Sequence, residues 1–156
     1  MIAIEIPGRG RLELQHLALD LNGTLATDGR VPAEVLDRLQ ELSRALDVHV
    51  FTADTFGTAA GLELPGMRMT RIGPGDQAAA KAAAVRELGT AATIAIGNGM
   101  NDEGMLREAA LGILVIGQEG AAVRSLLAAD LVVTSIQDGL DLLRFPRRLI
   151  ACLRTA

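Results

Sequence analysis

The chain has 156 residues, with 15 Lys and Arg against 19 Asp and Glu, a formal net charge of -4 at neutral pH, and 49% hydrophobic but only 2% aromatic residues. That length fits one domain whose core holds without staples, and the acidic balance excludes the clustered positive field of a nucleic-acid surface. The lone cysteine, Cys152, excludes an internal disulfide, and no signal-peptide pattern and no apolar run of about 18 residues is found; the expectation is a soluble, cytoplasmic protein with no membrane contact.

Residues 1–15 read as a hairpin, IAIEI and RLEL around the turn PGRG. HLALDL (16–21) is an apolar strand that runs out at Asp20 and Leu21, and after the loop NGTLATDGRV the segment Pro32 to Leu46 places Val35, Leu36, Leu39, Leu42 and Leu46 at helical spacing. VHVFT (48–52) is a strand, ADTFGTAAG (53–61) a short helix or turn with Asp54 as a cap, and MRMTRI (67–72) a further strand. After GPG, Asp76 caps a helix reaching Leu88 before Gly89. ATIAIG (92–97) is a buried strand, Asn101 to Ala110 a helix, LGILVIG (111–117) a strand, Ala121 to Ala128 a helix and DLVVTS (130–135) the last strand. Residues 138–156 form a helix pair hinged near Pro146.

Strand and helix alternate along this order, which predicts an α/β fold: a three-layer, doubly wound, Rossmann-like parallel sheet preceded by a β-hairpin. We divide the single domain of residues 1–156 into the hairpin (1–15), a catalytic core (16–136) and the C-terminal helices (137–156). Ligands of such sheets bind beyond the carboxyl ends of the strands, where the winding reverses. Asp20, Thr52 and the loop GNGMND (97–102) all fall at strand ends, and Lys81 lies on the helix before that loop. Lys81 is the single lysine, every other basic residue being Arg, and the three asparagines, Asn22, Asn98 and Asn101, all lie in the two Gly-containing loops.

These residue types suit phosphoryl chemistry. Asp20 can attack phosphorus in line to give an aspartyl phosphate. Lys81 supplies a compact charge for a phosphoryl oxygen, and Thr24, Thr52, Asn101 and the backbone N–H groups near Gly23 and Ala53 supply further donors. A magnesium ion would bridge the nucleophile and the phosphate, taking a few hard oxygen ligands and keeping several waters, with Asp102 anchoring the metal waters or orienting Lys81.

DLNGT (20–24), VFTAD (50–54), Lys81 in KAAAVREL and GNGMNDEGML (97–106), followed by AADLVVTS, resemble in order the motifs of the haloacid-dehalogenase-like (HAD) superfamily, most closely the phosphorylation domain of P-type ATPases. The resemblance covers roughly Leu17 to Ser135 and implies a HAD-like hydrolase or phosphatase, magnesium as cofactor, and a phosphorylated small molecule or a phosphoprotein as partner. Thirty-two positions separate Asp20 from Thr52 and 29 separate Thr52 from Lys81, too few for an inserted cap, so a capless form is expected, with a second copy of the chain as a candidate partner. The family's phosphatases carry a proton-transferring Asp where Asn22 stands and a metal-binding Asp where Asn98 stands, so the resemblance implies a weakened magnesium site of Asp20, the Asn22 carbonyl and Asn98. Two substituted acids imply a slow phosphatase; the alternatives are a phosphate- or protein-binding module that has lost turnover, or a switch whose aspartyl phosphate persists. His16 and His49 are expected to be packed structural residues, Arg144, Arg147, Arg148 and Arg154 a solvated basic face, and Cys152 a buried thiol.

Overall fold

The computed structural model describes residues 1–53 and 62–156; the expected turn beyond Ala53, with Asp54, lies outside the described residues. The strands β1 (Ile2–Ile6) and β2 (Gly10–Leu14) pair antiparallel as the expected hairpin. Six strands then make one sheet: β3 (His16–Asp20), β4 (Asp47–Thr52), β5 (Arg68–Arg71), β6 (Thr93–Gly97), β7 (Leu111–Val115) and β8 (Leu131–Val133), in the order β5-β4-β3-β6-β7-β8, every neighbouring pair parallel. TIAIG of β6 and LGILV of β7 are buried along their whole length, as strands covered on both faces must be.

Side chains alternate between the two faces with the strand period of two. Leu17 and Leu19, Ile94 and Ile96, and Ile113 and Val115 join a core with α1 (Ala33–Leu42), α5 (Ile136–Arg144), α6 (Pro146–Leu153) and the inner side of the hairpin. Ala18, Ala95 and Leu114 join the opposite core with Val85 of α2 (Gln77–Leu88) and with Met105 and Leu106 of α3 (Glu103–Glu108). The second face is floored by alanines, and α2 is itself alanine-rich, so its backbone approaches closely enough for a lysine side chain to end inside. Gly104 belongs to the same device: a Cβ there would lie 2.7 Å from the Ala78 carbonyl oxygen and 2.9 Å from Ala82 Cβ. The layer is completed by α4 (Val123–Ala128).

From β3 the chain winds outward through β4 to β5, and α2 then carries it back past β3 to β6, β7 and β8. The winding therefore reverses between β3 and β6, and the crevice at their carboxyl ends is the place where the fold presents a ligand site. Asp76 caps α2 as expected, Oδ1 accepting from Ala79 N–H at 3.0 Å. No helix of the described residues is long and apolar enough to cross a membrane.

Some expected features shift. The first helix ends at Leu42, not Leu46; residues 43–46 turn, yet Leu46 stays buried, because apolar spacing reports burial and not hydrogen bonding. The helix expected from Asn101 opens as a 3-10 turn, Met100–Asp102, before α3. Cys152 is exposed, a correction to the expected buried thiol: α6 turns Leu149, Ile150 and Leu153 toward the body, and Cys152 falls outside that stripe. Arg144 is likewise not a freely solvated cation. It bonds Asp141 at 2.7 Å and Glu41 at 2.6 Å, and Arg38 holds the same Asp141 at 2.9 Å, which ties α1 to α5. His16 and His49 pack with ring centroids 5.5 Å apart, and burial first, then the neighbouring His16 and Arg68, lowers the His49 pKa so that it packs as a neutral ring.

Candidate active site

DLNGT begins inside the sheet. Asp20 is the last residue of β3, Leu21 N–H still reaches the Phe51 carbonyl at 3.0 Å, and the chain then folds back through Gly23 N–H to Ala26 O at 2.8 Å and Ala26 N–H to Leu21 O at 2.8 Å. Gly23 takes φ +79, a left-handed conformation that favours glycine. This turn brings Thr24 beneath Asp20, its hydroxyl within hydrogen-bond reach of Asp20 Oδ2 at 3.3 Å and of Asn98 Oδ1 at 3.2 Å.

The centre is a buried ion triad. Lys81 is fully buried, its ammonium donating to Asp20 Oδ1 at 2.7 Å and to Asp102 Oδ1 at 2.8 Å. The other oxygen of Asp102 accepts from Asn98 N–H and Gly99 N–H, both at 2.9 Å, so this side chain fixes the lysine and the turn after β6 together. Its packing leaves no room for a side chain at Gly97, where a Cβ would lie 2.6 Å from Asp102. Two carboxylates against one ammonium leave the triad with an excess negative charge when all three are ionised. Burial, and then the Asp102 charge, push the Asp20 carboxyl up to about 7 against the opposing pull of Lys81 and Thr24. Burial alone would lower Lys81, but Asp102 and Asp20 outweigh it and hold the ammonium above its ordinary pKa, hence charged.

The other expected residues gather at the same end of the sheet. Asn22 Nδ2 donates to Thr52 Oγ1 at 3.4 Å, and Thr52 is buried at the end of β4. Asn101 Nδ2 donates to Gln77 Oε1 at 3.0 Å across the mouth of α2. A cavity of about 190 Å³ is lined by Asp20, Asn22, Ala53, Asn98, Gly99, Asn101 and Glu119. That is below the roughly 300 to 1,000 Å³ of a pocket that engulfs a small molecule, so it has room for a small anion but not for the body of a larger ligand. Glu119 was not legible in the sequence, since it belongs to no motif and reaches the site only because the loop after β7 folds over it. Among the described residues no group of three or more His, Cys, Asp and Glu side chains gathers for a metal; the side-chain oxygens lining this cavity are the carboxylates of Asp20 and Glu119 and the amides of Asn22, Asn98 and Asn101.

No family model matches the chain. Among solved structures, 3-deoxy-D-manno-octulosonate 8-phosphate phosphatase from Moraxella catarrhalis, in complex with magnesium, phosphate and KDO, aligns over 88% of this chain and 90% of its own at 19% identity and a TM-score of 0.59. The cobalt-bound counterpart from Haemophilus influenzae covers 87% and 90% at 14% identity and a TM-score of 0.68, and the catalytic domain of the CPx-ATPase CopB-B covers 73% and 46% at 21% identity and a TM-score of 0.55. The fold is that of the HAD superfamily, here with no domain inserted among the described residues. In sequence the chain is 56% identical over 61 residues to the uncharacterised protein MJ0073 of Methanocaldococcus jannaschii, spanning 66% of that protein and 39% of its own length. It is 44% identical over 39 residues to MJ0072 of the same organism, 25% of this chain and 89% of that protein, and belongs with MJ0072 to one family.

Proposed function

We propose that the chain is a magnesium-dependent phosphohydrolase that works through an aspartyl phosphate on Asp20. The observation that carries this reading is the placement of a fully buried lysine between Asp20 and Asp102 at the crossover of β3 and β6. An ordinary structural ion pair has no reason to sit at the one crevice where this sheet presents ligands, and the phosphatases named above share that sheet. Their bound magnesium, cobalt and phosphate support a metal and a phosphate here as well.

In this reading one oxygen of Asp20 attacks phosphorus, the bond from phosphorus to the ester oxygen breaks, and the phosphoryl group passes to the carboxylate. Lys81 fixes one oxygen of the nucleophile and its charge opposes the burial and the Asp102 charge that favour the protonated form, and the same charge would stabilise a phosphoryl group carried on Asp20. Asp102, with Oδ1 on Lys81 and Oδ2 on two backbone N–H groups, is the positioning residue for that lysine. Thr52 and Asn101 offer further polar contacts. Asn22 donates to Thr52 but carries no titratable proton, so the leaving oxygen draws its proton from solvent, and water attacks the aspartyl phosphate without a positioned base. The donor set suits a hard cation: Asp20, the Asn22 carbonyl and the Asn98 amide would hold it. Magnesium, when bound, neutralises charge on the phosphoryl oxygens.

Lacking the acid and base, the site loses a factor of about 10² to 10⁴, which leaves a slow enzyme. The same asparagine favours one second reading, a phospho-switch in which the Asp20 adduct forms and persists. Turnover of a chromogenic phosphate ester, with and without magnesium and in Asp20→Asn, tests the proposal. Metal-dependent release lost in Asp20→Asn supports hydrolysis; a stable adduct without release supports the switch; neither adduct nor release leaves a site that only binds.

A further inference from the structure

Asn98 leaves the site one carboxylate short, and the loop after β7 brings one back. Residues 116–122 form a tight turn, with Gly117 and Gly120 bridged and Gly120 at φ +75. Three hydrogen bonds tie this segment to the turn after β6: Ala122 N–H to Asn98 O at 2.8 Å, Asn98 Nδ2 to Gly120 O at 3.3 Å, and Ser125 Oγ to Gly99 O at 2.6 Å. Glu119 stands at the tip of that turn and borders the cavity that holds Asp20 and Asn98. Its carboxylate is packed directly over Gly23: a Cβ at Gly23 would strike Glu119 Oε2 and would lie 2.6 Å from Asn98 Nδ2 and 3.1 Å from Asn98 Oδ1. The missing side chain at Gly23 is therefore what lets Glu119 come down beside the Asn98 amide.

We infer that Glu119 is a carboxylate ligand of the divalent cation, standing in for the acid that Asn98 has replaced; this rests on the metal-dependent reading above. Asp20 Oδ2 and Asn98 Oδ1 already converge on one hydroxyl, Thr24 Oγ1, and Glu119 adds a charged hard oxygen from the facing loop. Asp102 is not available for the task, since both of its oxygens are engaged. Glu119, by contrast, forms no hydrogen bond or ion pair among the described residues, and its side chain is exposed, so its removal leaves the fold intact.

The experiment is a titration of the metal alone, magnesium by calorimetry and manganese by electron paramagnetic resonance, into the full chain and into Asp20→Asn, Glu119→Gln and Glu119→Gln with Asn98→Asp. Glu119→Gln weakens binding by about 10- to 100-fold or more, the range seen when even outer partners of a metal are removed. Adding Asn98→Asp restores most of the loss, because the carboxylate returns to the same spot. If Glu119→Gln binds both metals as the unaltered chain does while Asp20→Asn weakens them, Glu119 is no ligand, and the metal site stands without it. If the unaltered chain binds neither metal, the metal-dependent reading falls and this inference falls with it.

Discussion

Replacing Asp20 by Asn stabilises the chain at neutral and alkaline pH and does so less and less as the pH is lowered. The carboxyl has its ordinary pKa of 3.8 when unfolded and is pushed up to about 7 in the fold, chiefly by burial and by Asp102. A carboxyl whose folded pKa is raised binds its proton more tightly in the native state. The stability it contributes is full below pH 3.8 and is lost as the pH rises through about 7. The difference of roughly three pKa units, at about 1.36 kcal/mol each, sets a ceiling of about 4 kcal/mol. Because Asp20 shares Lys81 with Asp102, part of that ceiling is exchanged among the three groups, and a gain of about 1–4 kcal/mol for Asp20→Asn above pH 7.5 follows. Urea denaturation of both chains from pH 4 to 8.5, with chelator present to remove divalent metal, measures it. An advantage of Asp20→Asn that grows between pH 4 and about 7 and then levels off is the expected curve. The reasoning is refuted if the unaltered chain gains on Asp20→Asn as the pH rises, since Asp20 would then be a stabilising, well-paired carboxylate.

Lys81→Met removes the ammonium held between two buried carboxylates and costs about 3–5 kcal/mol at pH 7.5, and adding Asp102→Asn returns part of it; equilibrium denaturation reads both. Gly104→Ala places a methyl 2.7 Å from the Ala78 carbonyl and costs about 1–3 kcal/mol in the same assay, with reduced affinity for inorganic phosphate as α3 moves Asp102 away from Lys81. Asn22→Asp together with Asn98→Asp raises turnover of a chromogenic phosphate ester by about 10²- to 10⁴-fold, because a proton-transferring carboxyl returns at position 22 while position 98 regains a carboxylate for the metal. Asp141→Asn destabilises α1 against α5 by about 1–3 kcal/mol at pH 7, since two arginines hold a carboxyl whose pKa their hydrogen bonds lower against the opposing effect of burial. That loss shrinks as the pH falls through the lowered pKa of Asp141, where the stability it provides disappears.

The sheet was legible because its strands announce themselves: apolar runs such as TIAIG and LGILV, separated by glycine-bounded helical segments, leave few other folds open. Asp20, Lys81 and Asp102 could be gathered at one crevice from the sequence because strand ends and a single lysine limit the choices. Which partner Asp102 takes could not be read, since it depends on how closely α2 and α3 approach, and that distance is set by Gly104 and the alanines of α2. Cys152 was misjudged because residue type suggests burial, whereas the helix stripe decides it. Glu119 was invisible for a different reason. Nothing about QEGAA marks a site until the hydrogen bonds from Ala122 and to Gly120 fold that loop against Asn98.

The central claim is that Asp20 is a nucleophile toward phosphorus. The most direct measurement is the mass of the intact chain, and of its peptides, after incubation with magnesium and acetyl phosphate and rapid acid quenching. One phosphoryl group on the peptide containing Asp20, removed by hydroxylamine and missing from Asp20→Asn, is the predicted result. Absence of any adduct on that peptide, in a chain that still hydrolyses the donor, would contradict the claim and leave Asp20 as a buried structural carboxylate.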